Sequence, residues 1–445
     1  MDQQLKIDIQ RVFQLQKNNQ KALRASTAEQ RREKLSHLLE AIVAHEEDII
    51  EAIRKDVRKP YHEVKKAETA GTIKAIKDNM DNLEKWMAPK EVGSSLHPDA
   101  NGLLMYEPKG VTLILGPWNY PFMLTMAPLA ASIAAGNSAI VKLSDFTMNT
   151  SHIAAKVIRE AFDEKEVAIF EGEVEVATEL LDQPFDHIFF TGSTNVGKIV
   201  MTAAAKHLAS VTLELGGKSP TIIDSEYDML DATKKIAVGK FVNAGQTCIA
   251  PDYIFIKKDV QDQFAGLLQT IVNAGFMEDD HTVDRNKFTQ IVNDRNFHRV
   301  KDLFDDAISK GAEVVFGGTF DASDRTISPT VLKNVTPDMK IMQEEIFAPI
   351  LPLMNYQDID EVIDYITDRD KPLALYVFSH NQELIDNVLQ HTTSGNAAVN
   401  DVVVHFSDVN LPFGGVNTSG IGSYHGVYGF KEFSHEKGVF IQAAK

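Results

Sequence analysis

One cysteine and one glutamate stand in sequence contexts that favour chemistry. Cys248 is the only cysteine of the chain and follows a polar turn, residues 245–247 (Gly-Gln-Thr), which is a poor place for core packing. A lone cysteine is more often a small buried hydrophobe, but this context makes its thiol a candidate nucleophile. Glu214 lies in an otherwise apolar run, residues 211–215, and precedes two glycines. The alternatives for Glu214 are a carboxylate at a solvated strand end and a carboxyl buried in a crevice, where a raised pKa suits a general base.

A glycine-rich loop is the third candidate. Residues 192–198 (Gly-Ser-Thr-Asn-Val-Gly-Lys) follow a predicted strand and open a predicted helix, where backbone N–H groups and the helix dipole can hold a phosphate. The P-loop pattern needs a hydroxyl residue after the lysine to bind Mg²⁺, and Ile199 stands there instead. The loop therefore favours a diphosphate without a metal, as in a dinucleotide. The alternative is a helix-initiating turn capped by Ser193 or Thr194.

Two further polar residues follow predicted parallel strands. Residues 111–115 and 138–142 are β-branched runs, and residues 122–135 between them read as an apolar helix that ends at Gly136. The stretch from 110 to 141 has no charged residue, but its prolines and glycines divide it into pieces too short to span a bilayer. Ligands bind beyond the carboxyl ends of parallel strands. Asn119 and Lys142 lie at the two carboxyl ends of this βαβ unit, so both are candidate site residues.

The remaining pattern predicts an α/β fold with two doubly wound domains. Further strands are expected over 186–191 and 211–215, and, after residue 250, near 253–256, 313–316, 350–353, 373–378 and 397–400, alternating with helices. The first 90 residues read as packing helices with a charged outer face, one of them begun by a capping box at Thr27 and Gln30. Residues 90–107 are polar and irregular, which predicts an exposed arm or hairpin that interrupts the domain.

Composition excludes several classes of protein. The 445 residues carry 45 Lys and Arg against 63 Asp and Glu, a net charge of −18, which disfavours nucleic acid and anionic membrane surfaces as main partners. One cysteine excludes intrachain disulfides and cysteine-rich metal sites, and no HExxH pattern occurs, so no metal site is expected. The sequence has neither the pattern of a signal peptide nor that of a membrane anchor. A reducing, cytoplasmic location is the expectation.

Two long motifs resemble the signatures of the aldehyde dehydrogenase superfamily. Residues 213–220 (Leu-Glu-Leu-Gly-Gly-Lys-Ser-Pro) resemble its glutamate signature, and residues 241–252 resemble its cysteine signature. Residues 117–122, the 192–197 loop, 344–347 and 411–415 also match in family order. The short N-terminal region and residues 423–426 and 433–435 are similar to the class 3 branch in particular.

The resemblance implies an aldehyde dehydrogenase-like fold and a division into three units. These are an NAD(P)-binding domain over 1–90 and 108–213, a catalytic domain over 214–404, and an oligomerisation arm and tail over 91–107 and 405–445. It also implies NAD or NADP as cofactor, an aldehyde as substrate, medium-chain aliphatic or aromatic for class 3, and a homodimer without a stable membrane anchor.

The same resemblance assigns roles to site residues. Cys248 attacks the aldehyde carbon, the side-chain amide of Asn119 holds the oxyanion together with the Cys248 backbone N–H, and Glu214 activates the water that hydrolyses the thioester. The implied cofactor contacts are Lys142 at the adenine ribose, Gly192, Ser193 and Gly197 at the diphosphate loop, and Glu345 with Phe347 at the nicotinamide ribose.

The physiological aldehyde and the choice between NAD and NADP stay open. Asp145 stands where the family commonly has glutamate, which shortens a contact to a ribose hydroxyl by one methylene. Two alternatives to a dehydrogenase also stay open at this point. A thiol acyltransferase or esterase would use Cys248 and Asn119 but leaves the phosphate loop unexplained, and a non-catalytic scaffold on the same fold needs neither.

Overall fold

The computed structural model describes residues 3–442. The predicted first and last units begin at residue 1 and end at residue 445, so residues 1–2 and 443–445 of those units lie outside the described residues. The α-helices of this range are α1 (Gln3–Arg24), α2 (Ala28–Ala44), α3 (Glu46–Val57), α4 (Tyr61–Val64), α5 (Ala70–Met87), α6 (Met123–Ala135), α7 (Met148–Ala161), α8 (Val174–Leu181), α9 (Thr194–Ala205), α10 (Met229–Phe241), α11 (Lys258–Phe276), α12 (Asp294–Ser309), α13 (Ile359–Thr367), α14 (Gln382–His391) and α15 (Gly426–Glu432).

The strands are β1 (Lys90–Glu91), β2 (Ala100–Pro108), β3 (Val111–Leu115), β4 (Ser138–Lys142), β5 (Val167–Ile169), β6 (His187–Thr191), β7 (Ser210–Glu214), β8 (Pro220–Ile223), β9 (Tyr253–Ile256), β10 (Glu313–Phe316), β11 (Phe320–Asp321), β12 (Thr326–Ile327), β13 (Thr330–Lys333), β14 (Ile350–Asn355), β15 (Ala374–Phe378), β16 (Asn396–Val399), β17 (Gly420–Ile421) and β18 (Ser434–Gln442). A π-helical turn, Lys65–Thr69, joins α4 to α5.

The first sheet has the order β17-β7-β6-β3-β4-β5 and is parallel except at β17. Helices α1, α8 and α9 pack on one face, and α2, α6 and α7 pack on the other. All five residues of β3 and of β4 are buried, as expected for mainly apolar strands of a parallel sheet that is covered on both faces. The carboxyl ends of β3, β4, β6 and β7 lie along one edge, which is where ligands bind in such sheets.

The second sheet has the order β10-β13-β14-β9-β8-β15-β16, and only β10 runs antiparallel to its neighbour. A separate antiparallel sheet, β1-β2-β18, pairs the predicted arm with a strand near the end of the described chain. These sheets confirm the predicted α/β fold of two doubly wound units and a small β arm. The domain boundaries remain a prediction, and β17, from the segment assigned to the tail, lies in the first sheet beside Glu214.

Most local predictions agree with the structure. Strands β3 and β4 have the predicted bounds, and Thr27 and Gln30 form the predicted capping box. The helix predicted to follow the glycine-rich loop is α9, which ends at Ala205, shortly before the chain turns through Leu208 with a left-handed φ of 56°. Within residues 3–442, none of the helices is long and apolar enough to cross a membrane.

Candidate active site

The cysteine loop follows α10 through an unusual backbone turn. Asn243, Ala244 and Gly245 all have left-handed φ values, 54°, 53° and 70°. A left-handed non-glycine residue costs about 1 kcal/mol, so the surrounding packing has to hold this turn in place. At Gly245 a Cβ would lie 2.5 Å from the carbonyl oxygen of Ala348, so only glycine fits. The turn reverses the chain and places Cys248 on a loop ahead of β9, as the sequence predicts.

Gln246 fixes the loop two residues before the cysteine. Its side chain is buried, and its Nε2 donates to the carbonyl oxygens of Asn243 and Gln290, both at 3.1 Å. Its Oε1 accepts from the backbone N–H of Val292 at 3.1 Å. Because both ends of the amide are bonded, the peptide that precedes Cys248 has little freedom. The sequence alone places Gln246 in a polar turn and does not predict these hydrogen bonds.

Asn119 is attached to this same loop. Its Nδ2 donates to the carbonyl oxygen of Gln246 at 3.0 Å, and the neighbouring Tyr120 hydroxyl lies 3.0 Å from the Thr247 hydroxyl. An amide nitrogen carries two N–H donors, and this bond uses one of them. The structure therefore brings Asn119 and the Cys248 loop together, with one donor left for a ligand.

A buried ion pair beneath Asn119 was not predicted. Lys59 Nζ lies 2.7 Å from the Glu68 carboxylate and 2.8 Å from the Asn119 carbonyl oxygen, and both charged side chains are fully buried. The other Glu68 oxygen accepts from the N–H groups of Phe122 and Met123, which satisfies the start of α6. The first 90 residues are thus more than packing helices with a charged outer face.

Nothing in the sequence distinguishes these two residues from their exposed neighbours. Lys59 is one of several lysines in the region, and Glu68 lies on the π-helical turn, whose altered register no simple periodicity predicts. Burial of both charges follows from their pairing in the folded protein.

The thiol of Cys248 is held mainly in its neutral form. The residue is only partly exposed, and burial, followed by the negative charges of Glu345 and Glu214, raises the pKa of the Cys248 thiol. The backbone N–H groups of Cys248 and Ile249 favour the thiolate and lower this pKa, but by less than burial raises it. The thiol therefore has to lose its proton before it can act as a nucleophile.

Glu214 is buried at the end of β7, not at a solvated strand end. It is 2% exposed, and neither carboxylate oxygen has a hydrogen-bond partner within the described part of the chain. Burial, and secondarily the charge of Glu432, raises the pKa of Glu214 well above its ordinary value. Glu432 itself accepts a 2.7 Å hydrogen bond from Thr212, two residues before Glu214 on the same strand. An unpartnered buried carboxyl is the expected state of a group that binds water or substrate.

Glu345 lies against the glycine pair after Glu214. A Cβ at Gly216 would lie 2.4 Å from the Glu345 carboxylate, and the Gly217 N–H bonds to that carboxylate. Burial, followed by Asp252, raises the pKa of Glu345 to about 8. Its neighbour Glu344 is exposed and pairs with Arg299 at 3.0 Å. A carboxylate beside a side-chain-free stretch of backbone is a suitable cradle for the hydroxyls of a cofactor ribose.

The other predicted cofactor residues lie along the same sheet edge. Lys142 ends β4 and is buried, and its Nζ donates to the Leu143 carbonyl at 3.0 Å; burial lowers the pKa of Lys142. Ser193 is exposed and caps α9, so the loop is a helix N-terminus with free backbone donors, the arrangement that binds phosphate. The phenyl ring of Phe347 packs edge to face on Trp118, with centroids 5.3 Å apart.

Gly192 and Gly197 differ in what they do. Gly192 opens the loop, and a Cβ there would lie 2.4 Å from the ring of Phe190. A Cβ at Gly197 would lie 2.7 Å from the Leu215 side chain, so this glycine allows α9 to pack closely on the end of β7. Close helix–strand packing is one of the roles glycines play in dinucleotide-binding loops. Among residues 3–442, no group of three or more His, Cys, Asp or Glu side chains is arranged to hold a metal ion.

We expect Glu345→Gln to flatten the pH dependence of stability. With its pKa raised to about 8, folded Glu345 keeps a proton that the unfolded chain has already lost. Its contribution to stability is thus complete below the unfolded pKa of about 4.5 and is lost as the pH rises through 8. At about 1.4 kcal/mol per pKa unit, the substitution should remove a decline on the order of 5 kcal/mol between these two pKa values.

The measurement is denaturant unfolding of the cofactor-free protein at pH values from 5 to 9. Glu344→Gln, which neutralises the exposed neighbour, is the control and should follow the wild-type curve. Parallel curves for wild type and Glu345→Gln would show that Glu345 is ionised throughout this range.

Comparison with known proteins identifies the family of the chain. The model of the aldehyde dehydrogenase family matches residues 2–439. The putative aldehyde dehydrogenase AldX of Bacillus subtilis is 90% identical over the full length of both chains. The rat aldehyde dehydrogenase described as dimeric and NADP-preferring is 42% identical over 84% of this chain and 82% of its own length. A solved structure of a substrate-bound Staphylococcus aureus AldH has a TM-score of 0.93 and 40% identity, covering 98% of this chain and 94% of that one.

These matches do not favour an acyltransferase, an esterase or a non-catalytic scaffold. The chain belongs to the aldehyde dehydrogenase family and is an NAD(P)-dependent aldehyde dehydrogenase.

Proposed function

We propose that the enzyme oxidises its aldehyde through a covalent thioester on Cys248. The observation that carries this proposal is the hydrogen bond from Asn119 Nδ2 to the Gln246 carbonyl, which fixes an amide donor to the loop that bears the thiol. Attack of sulfur on the aldehyde carbon places negative charge on the oxygen. We propose that the free N–H of Asn119 and the backbone N–H of Cys248 stabilise that charge.

Glu214 then serves the second half of the reaction. Its unpartnered carboxylate accepts a proton from a water molecule, and the hydroxide attacks the thioester carbonyl, so that the C–S bond breaks and the carboxylic acid leaves. The buried setting that raises the pKa of Glu214 makes its carboxylate a stronger base than an exposed one. Ionisation of both Cys248 and Glu214 is needed, so the rate should rise with pH.

The cofactor supplies the oxidation. When bound, the nicotinamide of NAD or NADP accepts the hydride of the aldehyde carbon. We propose that Glu345 and Phe347 position its ribose, that Lys142 holds the adenine ribose, and that Ser193 with Gly192 and Gly197 forms the diphosphate site. The preference between the two cofactors depends on residues beside Lys142, including Asp145, whose charge reaches the Lys142 ammonium.

We propose medium-chain aliphatic or aromatic aldehydes as the substrates. Tyr424 is buried, and burial, followed by the charges of Glu214 and Cys248, raises the pKa of its hydroxyl well above the ordinary value. It packs on Phe413 and on His425, which in turn contact the partly exposed Phe406. An aromatic cluster of this kind offers apolar contact to the non-reacting part of a substrate.

We further propose a cytoplasmic homodimer. Large apolar side chains are exposed on β18, where Phe440 is 53% and Ile441 46% exposed, and in the loop between β1 and β2, where Leu96 is 75% exposed. Such a surface favours pairing with a second copy, and the rat relative is described as dimeric. A partly exposed free cysteine suits a reducing compartment.

A direct assay tests the function. Purified protein is mixed with hexanal or benzaldehyde and NAD⁺ or NADP⁺, and absorbance of the reduced cofactor is followed between pH 6 and 9. Turnover that rises with pH is the expected result. Absence of signal with both cofactors across a panel of aliphatic and aromatic aldehydes would contradict the proposed substrate class.

A further inference from the structure

Glu63 is a buried carboxyl that belongs to neither the catalytic nor the cofactor residues. It lies on α4, a single helical turn, and is 8% exposed. Its Oε2 accepts the backbone N–H of Asn243 at 3.1 Å. These two residues are 180 positions apart in the chain, so the bond joins the N-terminal helices to the cysteine loop.

Asn243 links the segment of Asn119 to the cysteine loop, the two segments that contribute to the proposed oxyanion site. Its Nδ2 donates to the carbonyl oxygen of Asn119 at 3.1 Å and to that of Gln246 at 3.0 Å. It is also the first of the three left-handed residues before Cys248. A carboxylate that holds the Asn243 N–H therefore acts on the residue that aligns the Asn119 amide with the thiol.

Few charges face Glu63. Lys59 acts on it electrostatically, but the Lys59 ammonium is already paired with Glu68. Tyr120 is partly buried, its ring lies 4.0 Å from Lys59 Nζ, and the charges of Glu63 and Glu68 both act on its hydroxyl. The Asn243 N–H is the hydrogen bond that favours the charged form. Burial outweighs these contacts and raises the pKa of Glu63 to about 7.

Both protonation states are consequently populated near neutral pH. The ionised carboxylate accepts a stronger hydrogen bond from the Asn243 N–H than the neutral carboxyl does. Small displacements of catalytic groups have large effects on rate, up to about 100-fold for a shift of 1 Å.

We propose that Glu63 is a positioning residue that holds the cysteine loop and Asn119 in register for the attack of Cys248, and that it holds them more firmly when ionised. The proposal rests on the proposed function, in which Cys248 is the nucleophile and Asn119 stabilises the oxyanion. Glu63 itself touches neither reacting group; it acts through Asn243.

Two substitutions test this role. Glu63→Gln keeps an acceptor oxygen for the Asn243 N–H but cannot ionise, and Glu63→Leu has similar size and no acceptor. We expect Glu63→Leu to lower kcat by about tenfold or more with the KM for the cofactor within twofold of wild type. We expect the kcat of Glu63→Gln to lie within twofold of the wild-type kcat at pH 6. At pH 8.5 we expect it to be about a fifth of the wild-type kcat at the same pH.

The ratio of wild-type to Glu63→Gln kcat, measured from pH 5.5 to 9, is the decisive readout, because a merely structural role would lower thermal stability without a titration near pH 7. Glu51→Gln, an exposed glutamate of α3, is the control and should give a constant ratio. A constant ratio for Glu63→Gln, or wild-type kcat in folded Glu63→Leu, would overturn the proposal. If Glu63→Leu does not fold, the ratio for Glu63→Gln decides alone.

Failure of this proposal differs from failure of the proposed function. An inactive Cys248→Ala protein together with a constant Glu63→Gln ratio refutes only the role of Glu63. An active Cys248→Ala protein refutes the proposed function, whatever the Glu63 variants do.

Discussion

Replacing Cys248 with alanine is expected to lower steady-state aldehyde oxidation by about 10⁴-fold or more while leaving the cofactor bound. The thiol is the only sulfur nucleophile of the chain, and without it no thioester forms. The groups proposed to hold the cofactor, Glu345 and the loop of residues 192–197, do not depend on the thiol for their hydrogen bonds. Turnover is measured by absorbance of the reduced cofactor, and cofactor affinity by fluorescence titration.

Cys248→Ser provides the matched control for this experiment. It keeps the size and the loop hydrogen bonds but supplies a much weaker nucleophile, so its turnover should also be severely reduced. Turnover of Cys248→Ala within tenfold of wild type would exclude a covalent mechanism on this residue. Loss of cofactor binding in both variants would instead indicate that the cysteine loop supports the cofactor site.

Replacing Glu214 with glutamine is expected to separate the two halves of the reaction. The amide cannot take a proton from water, so hydrolysis of the thioester should slow by about 10³-fold, whereas attack by Cys248 and the oxidation continue. A stopped-flow trace should therefore show a burst of about one reduced cofactor per active site, followed by a near stop. The acyl group should remain on Cys248 and be visible by mass spectrometry of the intact protein.

Glu432→Gln is an informative companion to Glu214→Gln. It removes the charge that adds to the raised pKa of Glu214 and keeps a side-chain oxygen for the Thr212 hydroxyl. Its burst should be followed by normal steady-state turnover. A normal steady-state rate in Glu214→Gln would remove Glu214 from deacylation, and a missing burst would place it in the first half of the reaction.

The elements around the site were predictable because their patterns are local. The apolar runs of β3 and β4 and the small-residue helix between them are the expected sequence of a buried βαβ unit, and the observed bounds agree. The candidates Cys248 and Glu214 followed from polar or charged residues in places where packing alone does not require them. The resemblance then ordered these residues into a reaction.

The supporting residues were not predictable, since their importance arises from contacts between distant segments. Lys59, Glu63 and Glu68 resemble the other charged residues of amphipathic helices until the fold brings them beneath Asn119 and Asn243. The left-handed turn was equally hidden, because Ala244 does not ordinarily adopt such a conformation. The conformational preference of a single residue does not predict this turn, because the turn is held by the hydrogen bonds of Gln246 and Asn243.

Because β17 lies near the end of the chain, the first sheet can be completed only late in synthesis. Gly420 pairs with Glu214, and Ser419 accepts the N–H of Leu215, across about 200 intervening residues. A nascent chain that has emerged as far as β16, the last strand of the second sheet, already contains Cys248 and the loop of residues 192–197. Strand β7, which ends at Glu214, still lacks its neighbour β17 at that stage. The segment around Glu214, the proposed general base, is completed only after nearly the whole chain has left the ribosome. An incomplete chain thus carries the proposed nucleophile before the surroundings of the proposed base are complete.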